Sequence, residues 1–212
     1  MQNKIMTGVL ALAVGVGLPA FAQTNTDKVA QLEQRVAQLE KQVRDISQLV
    51  QPLKAQQTAN DRRKALRERF DKQMARDREK YTPQQLGEAE SLYQVANQKW
   101  GTPEANASLQ DMIKKYPDIN RTGCAVLYVA QQSRGDERAT YLQDCIGKYN
   151  DCMYGDGVQV GAFARLLLAG DYRNAGQEQK AAELYTELKT KYPDAVDHSG
   201  QLLADSIPAA GK

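Results

Sequence analysis

One histidine, one tryptophan, three phenylalanines and three cysteines in 212 residues leave little material for a catalytic or metal centre. The lone imidazole, His198, excludes any motif built on two histidines, H-E-x-x-H among them. No Ser/His/Asp order, P-loop or paired-carboxylate motif is present. No C-x-x-C occurs, so a redox motif and an attached haem have no support, and no cofactor is expected. Charge of one sign is also missing: 28 Lys and Arg meet 26 Asp and Glu, which argues against a nucleic-acid partner. Past the first two dozen residues, no apolar run reaches the length that spans a bilayer.

The one long apolar run opens the chain. Lys4 precedes Ile5 to Leu18, and Ala20-Phe21-Ala22 follows before Gln23. That order is a secretory signal peptide over residues 1–22 with an A-x-A cleavage site, and the small-residue exit favours cleavage over an uncleaved anchor. The first cysteine is Cys124, so no lipid is attached at a new N-terminal cysteine. The expected product is exported, periplasmic in the simplest case, without stable membrane insertion.

Residues 27–53 carry the strongest pattern. Val29, Leu32, Val36, Leu39, Val43, Ile46, Val50 and Leu53 recur at alternating steps of three and four, the coiled-coil period. With Val29 as a, every a is Val and every d is Leu or Ile. Lys28 and Arg35 fall at g, Glu33 and Glu40 at e, so parallel copies in register set opposite charges against each other. A helix this short is marginal alone, so the pattern implies a homo-oligomer. Val at a with Leu at d favours two strands. Arg35-Val36-Ala37-Gln38-Leu39-Glu40 reads R-h-x-x-h-E, which resembles a trimerisation motif and tips the preference to a trimer, with a dimer as the alternative. The oligomerising residues are Val29, Leu32, Arg35, Val36, Leu39, Glu40, Val43, Ile46 and Val50.

Pro52 and the polar run Gln51 to Asn60 end the heptads, and residues 54–81 read as a charged helical spacer. Between residues 61 and 81 nine cations face five anions, with a thin stripe of Leu66, Phe70 and Met74. Such a run is usually a solvated face laced by pairs such as Glu68–Lys72. A basic surface for an anionic envelope polymer is the alternative.

Helix start signals then recur over residues 82–207. Thr82-Pro83 and Thr102-Pro103 each place an N-cap before a proline at the first helical position. The first of these helices has an apolar face of Leu86, Ala89, Leu92, Tyr93, Ala96 and Trp100. A second pair of helices is expected over 123–133 and 136–148, and a third over 157–175 and 177–191. A last short helix over 195–207 caps the array, and the tail 208–212 is disordered. The endings Lys115-Tyr-Pro-Asp, Lys148-Tyr-Asn-Asp and Lys191-Tyr-Pro-Asp form an internal repeat. Tyr116 and Tyr149 are 33 residues apart, close to the tetratricopeptide period. The third pair fits best, through Leu168-Ala169, Tyr172, Gly176, Ala181, Tyr185, Leu188 and Pro193. The fold class is therefore all-α: a coiled coil and helical spacer, then a tetratricopeptide-like solenoid of about three pairs.

Signal peptide, short coiled coil with Arg35 to Glu40, polar linker and C-terminal repeats ending in K-Y-P-D together resemble the periplasmic TolA-binding cell-division coordinator family. The resemblance covers the layout of nearly the whole mature chain and implies a scaffold at the cell envelope. The charged segment at 61–81 departs from that family.

Three further groups bear on chemistry. Cys124 and Cys145 lie at similar heights on an antiparallel hairpin and are the preferred disulfide, with Cys145–Cys152 as the other option. Asp156, Asp194, Asp197, His198 and Tyr154 gather at one end of the third pair, where carboxylates and an imidazole suit a divalent cation. Capping duties are the plainer account of these residues. Finally, the first helix of each pair faces a groove of the kind that takes peptides, through Tyr93, Asn97, Tyr128, Gln131, Gln132, Arg165 and Arg173. The expectation is a non-enzymatic adaptor that binds itself and an unidentified envelope protein or peptide. The alternative is a metal-dependent enzyme at the Asp156/Asp194/Asp197/His198 cluster.

Overall fold

A computed structural model describes residues 20–208, with side chains from Asp27 onward. The expected signal peptide therefore lies outside the described residues except for Ala20–Ala22, and so does the tail from Ala209. The described chain is helical: α1 Ala20–Lys80, α2 Pro83–Gln98, α3 Pro103–Lys115, α4 Asn120–Gln132, α5 Gly135–Gly147, α6 Val160–Asn174 and α7 Glu178–Lys191, with a 3₁₀ turn at Leu203–Ser206. Among the described residues there is no strand, only isolated bridges at Met153–Gln159 and Val196–Leu202. No helix among them is long and apolar enough to cross a membrane. The chain divides into two compact units, residues 1–57 and 58–212.

The heptads end at Pro52, but the helix does not; α1 runs through it. Proline removes one i→i−4 bond and costs about 3 kcal/mol in a helix interior. Here Leu53, Lys54, Ala55, Gln56 and Gln57 follow it, all good helix formers.

In the second unit, local chemistry sets the helix starts. Thr82 accepts from the Gln85 amide at 3.3 Å while the Gln85 side chain accepts from the Thr82 amide at 2.9 Å, a complete capping box. Thr102 accepts from the Ala105 amide at 3.2 Å in the same manner. The repeated tyrosines close the helices: the amides of Tyr116 and Tyr192 donate to Met112 and Leu188, and Tyr116 and Tyr149 are buried. Helices α2 with α3, α4 with α5 and α6 with α7 pack as neighbours, and α3–α4 and α5–α6 join one pair to the next. The main core runs through Leu109, Met112, Leu127, Leu142 and Leu168.

The charged segment was expected to be a solvated spacer. Instead its thin apolar stripe is used. Leu66 is buried with Met153 and Val196, and Phe70 and Leu202 pack against them. Arg69 donates to the Gln159 side chain at 2.7 Å, and Arg62 lies 3.7 Å from Asp194. Residues 58–80 of α1 thus belong to the C-terminal unit, lying over the loops after α5 and α7. Gly157 permits the approach: its φ is +98°, and a Cβ there would stand 3.2 Å from Leu66.

The capping helix expected at 195–207 is also absent. Asp197 accepts from the Ser199 and Gln201 amides at 2.8 and 3.0 Å, Gly200 takes φ +85°, and the chain turns back to pair Val196 with Leu202. An Asx-type turn wins because Asp-His-Ser-Gly satisfies its amides locally.

Leu66→Ala is expected to lower stability by about 2–3 kcal/mol and the melting temperature by roughly 5–10 °C. Thermal melting checks this. An unchanged midpoint would mean that the segment is a free spacer after all.

Candidate functional site

Three places in the chain bear on function, and each belongs to one unit alone. In the first unit, Val29, Leu32, Val36, Leu39, Val43, Ile46 and Leu53 form an apolar row in which every side chain is at least 53 % exposed. Val50 is partly buried. Glu33 and Glu40 flank a shallow hollow formed with Val29, Leu32 and Val36, and Glu40 makes an i,i+4 pair with Arg44 at 4.0 Å. Isolated apolar side chains on a surface need no explanation, but a continuous row of this length does.

In the second unit, three of the expected groove residues are spent on the fold. Tyr93 is buried beneath the Arg121 guanidinium, 4.6 Å from its ring centre. Tyr128 is buried and donates its hydroxyl to the Ala96 carbonyl at 2.8 Å. Arg165, 7 % exposed, donates to Glu187 at 2.8 Å, to the Asn150 side chain at 2.7 Å and to the Gly161 carbonyl at 2.9 Å. Its guanidinium also sits 4.6 Å over the Tyr192 ring. These three were expected to meet a partner; they instead bind neighbouring helices and loops, because a buried charge or hydroxyl must find partners inside. Asn97, Gln132 and Arg173 remain exposed and Gln131 is partly so.

The proposed cation cluster comes together only in part. His198 Nδ1 lies 2.7 Å from Asp156, and its ring meets the edges of Tyr154 and Phe163 at 4.9 and 5.6 Å. Tyr154 donates its hydroxyl to the Cys124 carbonyl at 3.1 Å. Asp194 is drawn to Arg62 and Asp197 is occupied by its own turn. Among the described residues, no group of three or more His, Cys, Asp or Glu side chains is arranged to hold a metal ion.

The expected Cys124–Cys145 disulfide is not formed; Cys124, Cys145 and Cys152 are all free thiols. The Cys124 thiol is engaged with the Met153 carbonyl at 3.6 Å, in the loop after α5. Cys152 packs against Gly123, where a Cβ would come within 2.6 Å of its sulfur. Burial pushes all three thiols up, Cys152 to about 12, which holds them protonated and unreactive near neutral pH.

Sequence reading passed over two features. The first is Asn120, 3 % exposed, at the start of α4. Its side chain donates to the Met153 carbonyl at 2.7 Å and accepts from the Met153 amide at 2.6 Å. Its own amide donates to both carboxylate oxygens of Asp77 on α1, at 2.9 and 3.1 Å. Helix α4 has no side-chain cap of its own, and Asp77 supplies one from 43 residues away. The second is Trp100. It was expected on the apolar face of α2, yet it is 52 % exposed, its ring resting on that of Tyr128 with centroids 3.7 Å apart. Beside it lies a cleft of about 460 Å³ lined by Gly101, Pro103, Asn106, Tyr128, Gln132 and Glu137, among others. A tryptophan set directly before a helix-ending glycine was the available signal, since the helix cannot fold it inward there.

Comparison of the chain with protein-family models, with curated proteins and with solved structures returns no match. The functional reading therefore rests on the geometry above.

Burial raises the Asp77 carboxyl above its ordinary value, outweighing the Asn120 amide and the nearby Lys80 and Arg78. A carboxyl so raised takes up its proton in the folded chain before it does in the unfolded one. The folded state thus gains from Asp77 as pH falls through the window just above the ordinary aspartate value, and loses that gain as pH rises through it. Asp77→Asn keeps an acceptor for Asn120 but has no proton to gain. Between about pH 7 and about pH 4.5 its melting temperature is expected to drop relative to wild type. Asp77→Ala, without the acceptor, is expected to be the less stable of the two by about 1 kcal/mol. A constant difference between wild type and Asp77→Asn would contradict this.

Proposed function

We propose that this chain is an oligomeric adaptor of the cell envelope. Residues 27–53 join copies in a parallel coiled coil, and the helix pairs of the C-terminal unit form a short tetratricopeptide-like array that binds a partner protein. The observation that carries the reading is the row from Val29 to Leu53. Burying each of these side chains is worth about 1.5–3 kcal/mol, and α1 offers them nothing within its own unit. Self-association satisfies them, and Lys28 and Arg35 then meet Glu33 and Glu40 of neighbouring copies.

Pairwise packing of α2 with α3, α4 with α5 and α6 with α7, with tyrosines repeated at the pair ends, supports the tetratricopeptide-like reading. The N-terminal sequence supports export by a signal peptide cleaved after Ala22. In layout the protein is similar to the TolA-binding cell-division coordinators, so organisation of the envelope during division is the setting the reading favours. Joining copies multiplies a weak interaction: a partner engaging two or three arrays at once binds 10²–10⁴-fold more tightly, as an order-of-magnitude expectation.

Crosslinking in intact cells tests this. Wild type should yield a hetero-crosslinked partner, and Leu32→Pro with Leu39→Pro should reduce that yield at least about tenfold while the melting of the C-terminal unit is unchanged. Equal yields would show that association of copies has no part in partner binding.

A further inference from the structure

We propose that the cleft between the end of α1 and the loop after α5 binds a small zwitterion, an amino acid or short peptide with a free ammonium and a free carboxylate. Such a site lies beyond the adaptor reading and holds whether or not copies associate.

The cleft lies wholly within the C-terminal unit and has a volume of about 640 Å³. Its walls are the last turns of α1, Pro117 and Asp118 with the start of α4, and the chain from Gly147 to Cys152. That volume suits a small molecule.

Two of the lining residues are buried, Asp77 at 6 % exposure and Asn120 at 3 %. A carboxylate has about four acceptor positions. Asp77 receives one donor, the Asn120 amide, shared between its oxygens at 2.9 and 3.1 Å. The shortfall shows in its titration, because burial raises the Asp77 carboxyl despite that amide and the nearby Lys80 and Arg78. An ammonium brings a full positive charge and several N–H donors, which is what this carboxylate lacks.

Other lining residues supply the opposite sign. Arg76, Lys80 and Lys148 are exposed, and among the described residues none of them forms an ion pair. Arg76 and Lys80 stand four apart on α1, a spacing at which like charges repel. Lys148 comes from just past α5 and rests on the Tyr149 ring, 4.9 Å from its centre. A carboxylate among these cations relieves their repulsion.

The remaining charges decide the class of ligand. Exposed Glu79, Asp118 and Asp151 line the same cleft. A simple anion meets them as like charges, and a simple cation meets the three basic side chains. A molecule of both signs, its ammonium toward Asp77 and its carboxylate toward the basic side chains, avoids both repulsions.

Calorimetric titration of the full chain with trialanine and with alanine tests this. At least one should bind saturably: trialanine alone marks the ligand as a peptide, and alanine marks it as a free amino acid. The N-acetylated and the amidated form of whichever binds should each bind at least about tenfold more weakly. Arg76→Ala with Lys148→Ala, both at exposed positions, should leave melting unchanged and weaken the zwitterion several-fold. Asp77→Asn, which keeps an acceptor for Asn120, should remove the preference for the free ammonium over its acetylated form. No saturable binding by trialanine or alanine, equal binding of the blocked forms, or wild-type binding by the Arg76/Lys148 variant would overturn the proposal.

Discussion

Asn120 is the residue on which the C-terminal unit turns. It is a buried residue tied on both sides: its side chain makes two hydrogen bonds to the Met153 backbone, and its backbone N–H is shared between the oxygens of Asp77. In one place it starts α4, fixes the irregular loop between α5 and α6, and holds the last turn of α1. Removing any one partner leaves a polar group stranded away from water, which costs about 1–3 kcal/mol. Beside it, Leu66 with Met153 and Val196 adds an apolar contact of the same topology, α1 onto two loops. Together they explain why a segment of mostly charged residues is structural. Four residues of its inward face, Arg62, Leu66, Arg69 and Asp77, have specific destinations, and its outward face is left to water.

What was legible in the sequence divides along the range of the interactions. The starts of α2 and α3 are read from Thr-Pro because a cap is satisfied within three residues. The ends at Tyr116 and Tyr192 are equally local. Tyr149 and Tyr192 are 43 residues apart, against 33 between Tyr116 and Tyr149, so an insertion between the second and third pairs is visible in the spacing alone. Asp77 and Asn120 were not legible, since nothing near either residue says that a carboxylate on one helix caps another 43 residues on. Arg165 was placed on a binding face by helical register alone. Register does not disclose that Glu187, Asn150 and Tyr192 converge on it from three other segments. The segment after Asp194 was expected to be a helix because Asp favours helix starts as well as turns, and Asp197 with Gly200 decided for the turn.

The same division bears on function. The expected cation cluster dissolves because Asp194 and Asp197 each have a nearer obligation, which spacing along the chain does not show. The thiols expected to form a disulfide are instead buried hydrophobic fillers, two of them on α4 and α5. What survives as unspent surface is the apolar row of residues 29–53. Its chemistry is not used within its own unit, and the proposed adaptor assigns it to other copies.

The central claim is that copies of this chain associate through the row from Val29 to Leu53. Sedimentation equilibrium of the chain from Gln23 onward measures it directly. The account predicts the mass of three chains, or of two, converting to that of one chain when Leu32 and Leu39 are both replaced by proline. A wild-type mass of one chain at every concentration tested would contradict it.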